Sequence, residues 1–72
     1  MSKSGDPNDP KGLIYESFRI EGITASECRT IFLDWALSMP VGHDVKATVE
    51  GLLAKYADQS ADHPMKATLQ AA

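Results

Sequence analysis

The sequence predicts an all-α fold, a small bundle of three to four short helices behind an N-terminal tail. Three observations carry this expectation. Helix-start signals recur along the 72 residues, at Asp9-Pro10, at Thr24-Ala25-Ser26-Glu27, at Asp44 and at His63-Pro64. Apolar residues from Val45 to Tyr56 repeat at helical spacing. No alternating strand pattern or hairpin dipeptide occurs anywhere in the chain.

Residues 1–8 contain Ser, Gly, Asp, Pro and Asn and no apolar residue after Met1. They read as a disordered tail, leaving residues 9–72 as a single helical domain. Asp9 is placed to cap the first helix, with Pro10 at the first helical position, where its missing N–H costs nothing. That helix is expected to run to about Ile20, with Gly22 as a left-handed cap beyond its end. Leu13, Ile14, Tyr15, Phe18 and Ile20 cover a broad arc of it, and Gly12 weakens its first turn.

Thr24-Ala25-Ser26-Glu27 is a capping box. Thr24 can accept from the N–H three residues on, and Glu27 can reach back to the N–H of Thr24. Ile23 and Cys28 occupy the two positions of a hydrophobic staple. The second helix is expected to end near Ser38, because Met39 precedes Pro40 and residues before proline avoid helical angles. After the turn Val41-Gly42-His43, Asp44 can cap a third helix from Val45 to about Tyr56. Val45, Val49, Leu52, Leu53 and Tyr56 follow the spacing of one face of an amphipathic helix. A polar loop over 58–62 leads to a fourth helix carrying Met65 and Leu69, capped by either Asp62 or His63. The expected core is Leu13, Phe18, Ile31, Phe32, Trp35, Val49, Leu52, Leu53 and Tyr56.

Composition narrows the function. The apolar and charged fractions, 43% and 24%, are those of a globular domain. No apolar run approaches the roughly 20 residues needed to cross a bilayer, and no apolar segment follows Lys3 to make a secretory signal. Cys28 is alone, so no internal disulfide forms, and a cytoplasmic setting without membrane partners is expected. The net charge is −3, and the seven basic residues are dispersed. Nucleic-acid binders concentrate positive charge, so nucleic acid is a disfavoured partner. A helix-turn-helix built on the first two helices, with a recognition helix opening Ala25-Ser26-Glu27-Cys28-Arg29, is the alternative. Its mixed charge and later apolar turns favour an ordinary helical hairpin.

Catalytic chemistry finds little support. The glycines are scattered and form no phosphate loop or nucleophile elbow. Cys28, His43 and His63 lie on three segments without a zinc spacing, so no metal or cofactor is expected. A thiol or metal site at Cys28 is a further alternative, but its place on the apolar stripe favours a buried, inert thiol. No enzyme activity is expected. The C-terminal Leu69-Gln70-Ala71-Ala72 resembles the small apolar tails that bacterial proteolytic machines recognise, although an alanine-rich helix that simply ends accounts for it.

One feature of the second helix is unusual. Cys28, Ile31, Phe32, Trp35 and Met39 form one apolar stripe, and Leu33 and Leu37 form a second that points roughly opposite. A helix apolar nearly all round is usually buried at the centre of a bundle. Otherwise Leu33 and Leu37 stay exposed and bind a partner chain. Trp35 is a third candidate contact, because tryptophan is common at binding hot spots; its company of Ile31 and Phe32 favours the core. With no catalytic chemistry in view, the expected function is a non-enzymatic protein-interaction module, an adaptor or regulator. It would bind another protein through Leu33, Leu37 and Trp35, with self-association as a variant.

The block from Ile20 to Leu37, together with Asp62-His63-Pro64-Met65, resembles a group of short, all-helical bacterial proteins of unknown function. The resemblance spans most of the chain after residue 9. It implies a compact helical fold, a bacterial origin and a cytosolic location, and it brings no functional residues.

Overall fold

The computed structural model describes residues 6–72, and among them there is no strand. Four helices follow one another: α1 (Leu13–Ser17), α2 (Ala25–Ser38), α3 (Val45–Lys55) and α4 (Pro64–Ala71). The helix pairs that pack substantially are α1 with α2, α2 with α4, and α3 with α4. The all-α class is therefore as the sequence predicts.

The clearest departure is α1. Expected from Pro10 to Ile20, it has five residues. The cause is local. Gly12 takes a left-handed conformation, φ 70°, which is open to glycine and interrupts a right-handed helix. Asp9 to Gly12 instead form a turn closed by the Gly12 N–H donating to the Asp9 carbonyl at 3.0 Å. Asp9 still caps the helix, but from farther back. Its carboxylate accepts from the Tyr15 N–H at 2.9 Å and the Ile14 N–H at 3.3 Å. At the other end the Arg19 N–H turns back to the Glu16 carbonyl. Gly22 is left-handed, φ 78°, as expected, but the helix ends before reaching it.

The remaining helices follow their signals closely. In the capping box of α2, Glu27 N–H donates to Thr24 Oγ1 at 3.1 Å and Thr24 N–H donates to Glu27 Oε1 at 3.0 Å. Ile23 and Cys28, the staple pair, are both buried. Met39 adopts an extended conformation before Pro40 and stops the helix. Asp44 caps α3 through the Ala47 N–H at 3.1 Å. His63, not Asp62, caps α4: its Nδ1 accepts from the Met65 N–H at 3.0 Å, with Pro64 following as the first helical residue.

The buried core is Ile14, Ile23, Cys28, Trp35, Val49, Leu52, Tyr56, Met65 and Leu69. Trp35, Val49, Leu52 and Tyr56 are where the sequence places them. Leu13, Phe18, Ile31, Phe32 and Leu53 are a correction, because they are only partly buried and pack around that centre. The shortened α1 turns Ile14 inward rather than Leu13. The fourth helix, packed on both α2 and α3, brings Met65 and Leu69 into the middle. Lys66 secures it: its buried ammonium donates to the Ala57 and Gln59 carbonyls at 3.1 and 2.8 Å. Both carbonyls lie in the connection between α3 and α4, so the ammonium is satisfied by the turn that precedes its own helix.

The tail expected over residues 1–8 lies for its first five outside the described residues. Its last three are held against the bundle. Trp35 Nε1–H donates to the Asn8 carbonyl at 2.7 Å, and Asp6 pairs with Lys55 at 2.8 Å. Segment 6–9 thereby ties α2 to α3. No helix among the described residues is long and apolar enough to cross a membrane.

Candidate interaction surface

Helix α2 has its capping box at one end and Pro40 just past the other, so the angular positions of its side chains are fixed. At 100° per residue, Leu33 and Leu37 each lie about 160° around the helix from Trp35. Trp35 and Cys28 are fully buried, which sets the inward direction. Leu33 and Leu37 consequently face outward, 61% and 84% exposed. The arrangement with both faces of α2 covered is therefore overturned. Helices α1 and α4 pack on α2, and neither reaches the leucine face.

The three sequence-predicted contacts are thus not brought together. Leu33 and Leu37 share a surface, while Trp35 is removed from it. Trp35 has no accessible area, its Nε1–H is taken by Asn8, and its ring packs against Phe32 with centroids 5.3 Å apart. A fully buried ring with its polar atom satisfied is a core residue, so the role of Trp35 in partner contact is corrected. Val41, in the turn that follows α2, is fully exposed and adds to the apolar surface at this end.

Cys28 is buried. Burial and, secondarily, the neighbouring Glu27 carboxylate push its thiol up from the ordinary value, so the thiolate needed for nucleophilic or metal chemistry is disfavoured. Among the described residues, no group of three or more His, Cys, Asp or Glu is placed to hold a metal ion. His43 lies in the α2–α3 turn with Nδ1 3.1 Å from the Pro40 carbonyl and its ring edge-on to Trp35. His63 caps α4 and packs on Phe18, centroids 4.7 Å apart. Each histidine thus has a local structural role. For the helix-turn-helix alternative, α1 supplies little more than one turn, and Arg29 is the sole basic residue of α2.

The structure adds a feature that sequence reasoning missed. A groove of about 360 Å³ runs between α2 and α4, lined by Ala25, Arg29, Phe32, Ala67, Thr68 and Ala71 among others. Ala25, Arg29 and Phe32 lie on the α2 flank adjoining Leu33. Their position relative to the two leucines can be read from a helical projection of α2. The opposite wall, on α4, depends on how α4 crosses α2, and no periodicity within either helix reports that.

No family model matches the chain, and no curated protein or solved structure matches it either.

Proposed function

We propose that this chain is a small, non-enzymatic protein-interaction module, an adaptor or regulator, docking another protein through the outer face of α2. The observation that carries the reading is the exposure of the adjacent pair Leu33 and Leu37 on the side of α2 away from the core. Single exposed apolar residues are ordinary on protein surfaces, whereas neighbouring ones on a regular element form a surface that gains by being covered. The buried, up-shifted thiol of Cys28 adds support, since the strongest nucleophile candidate is occupied in the core. The resemblance to short bacterial helical proteins supports a bacterial, cytoplasmic setting.

The test is the double substitution Leu33→Glu, Leu37→Glu. At exposed positions it should leave the fold intact, with stability within about 0.5 kcal/mol per site. Circular dichroism and thermal unfolding check this. Capture from host lysate with wild type and variant side by side then identifies partners, and each is re-tested as a purified protein. Binding that survives purification and is lost in the folded double variant supports the reading. Purified partners that bind both forms equally, or an unfolded variant, refute it.

A further inference from the structure

The groove between α2 and α4 and the leucine pair are parts of one surface. Around α2, Phe32, Ala25, Ala36, Arg29, Leu33, Ser26 and Leu37 follow in angular order and span about 140°. Five of the seven are apolar. Phe32 and Ala36 are half-buried and the others exposed. The α4 wall contributes Ala67, Thr68 and Ala71, so the floor is built from small side chains between two helices. Its length is that of α4, eight residues or about 12 Å, two helical turns.

Among the described residues, the one charged side chain on this surface is that of Arg29. It is exposed, and among the described residues its side chain has no ion pair or hydrogen bond. It stands between the groove on one side and Leu33 on the other. The acidic residues of α2, Glu27 and Asp34, point elsewhere: Glu27 is engaged by Thr24, and Asp34 lies about 140° around the helix from Arg29. In a chain whose net charge is −3, the apolar surface is thus marked by an unpaired cation.

We infer that this surface takes an amphipathic helix of a partner protein, one that seats an apolar i, i+4 pair against the groove and the two leucines and presents a carboxylate to Arg29. The inference rests on the interaction reading above and names its partner class. A groove between two helices with small residues on its floor suits a third helix. The charge complement follows from Arg29, because a guanidinium that loses water at an interface needs an acceptor, and a carboxylate offers it a bidentate one.

The probe is a displayed library of two- to three-turn helical peptides with a fixed leucine i, i+4 pair and randomised flanking positions, selected on the full chain. Selected flanks should converge on Glu or Asp. The chosen peptides should bind Arg29→Glu about tenfold more weakly or worse, the range expected when one partner of an interfacial charge pair is reversed. Selection repeated on Arg29→Glu should turn toward Lys or Arg. Flanks with no acidic preference, or peptides indifferent to Arg29→Glu, overturn the inference; if those same peptides are lost in Leu33→Glu, Leu37→Glu, the interaction reading stands while the acidic helix falls. Failure to enrich any peptide overturns the inference. So does a wild-type dimer in sedimentation that the leucine variant abolishes, since the occupant is then a second copy of this chain.

Discussion

Removing the carboxylate of Asp9 tests how α1 begins. Asp9 is 1% exposed, and its two oxygens satisfy the N–H groups of Tyr15 and Ile14 at 2.9 and 3.3 Å. Both amides belong to the first turn of a helix that starts at Leu13 and has no side-chain cap from Gly12. In Asp9→Ala they lose their acceptor in a buried setting. Loss of a helix cap costs about 1–2 kcal/mol, and a buried unsatisfied group about 1–3 kcal/mol. A loss of about 1–2 kcal/mol lowers Tm by roughly 5–15 °C in a domain of this size. Thermal and urea unfolding can be followed through Trp35 fluorescence, since that ring is buried and bonded to the adjoining Asn8. Amide hydrogen exchange makes the test residue-specific. Ile14 and Tyr15 should lose protection. Gly12, which donates to the Asp9 backbone carbonyl, should be affected less. Had the helix begun at Pro10, the side chain would cap Lys11 or Gly12 instead. A variant within about 0.3 kcal/mol of wild type, or one losing protection at Lys11 and Gly12 alone, refutes this placement.

Two further perturbations probe the segment that joins α2 to α3. Partial burial raises the pKa of Asp6, but the Lys55 ammonium and the Asn8 N–H more than offset it, and the net shift is below the ordinary 3.8. A depressed carboxyl stabilises the fold above its unfolded pKa, and that contribution is lost as pH falls through the lower folded value. Wild type should therefore lose stability below about pH 4 more steeply than Lys55→Met, by less than about 1 kcal/mol because the Lys55 side chain is 44% exposed and its charge is screened by solvent; parallel pH profiles would contradict the pairing. At Gly51, within α3, an added Cβ would meet only the Asn8 Nδ2 atom, at 3.0 Å. That atom ends a movable side chain, so the gain in helix propensity, about 1 kcal/mol, should prevail and Gly51→Ala should raise Tm. A lowered Tm would show that the Asn8 side chain is fixed more firmly than its contacts imply.

Sequence reasoning succeeded where the determining interaction is local. The ends of α2 follow from Thr24, Glu27 and Pro40, and the start of α3 follows from Asp44, because caps and proline act within a few residues. It failed at α1, where Asp9 reaches past a left-handed glycine to amides five and six residues on. A rule that places the cap beside the helix cannot register that distance. The ambiguity between Asp62 and His63 was local too, yet both side chains can accept an N–H, and the geometry around Pro64 decided it. The core was misassigned wherever its composition depends on α4. Met65 and Leu69 reach the centre because α4 crosses both α2 and α3, and Lys66 fixes it there through carbonyls of the preceding turn. The same limit applied to the candidate surface. The two faces of α2 were visible as periodicity, but whether the leucine face was covered depended on the placement of the other helices.

The leucine pair has a competing explanation that needs no partner. Leucine is among the better helix formers, so Leu33 and Leu37 could simply support α2. The substitution that separates the two explanations is Leu33→Ala, Leu37→Ala. Alanine has equal or better helix propensity, and at positions this exposed it removes little buried area, so helicity and Tm should hold or rise. Removing two large apolar side chains from an interface instead costs binding. If purified partners release the alanine variant while its helix content is unchanged, propensity cannot account for the leucines and contact does. If binding is kept while helicity and Tm hold, helix propensity accounts for the leucines, and the outer face of α2 is not the docking surface.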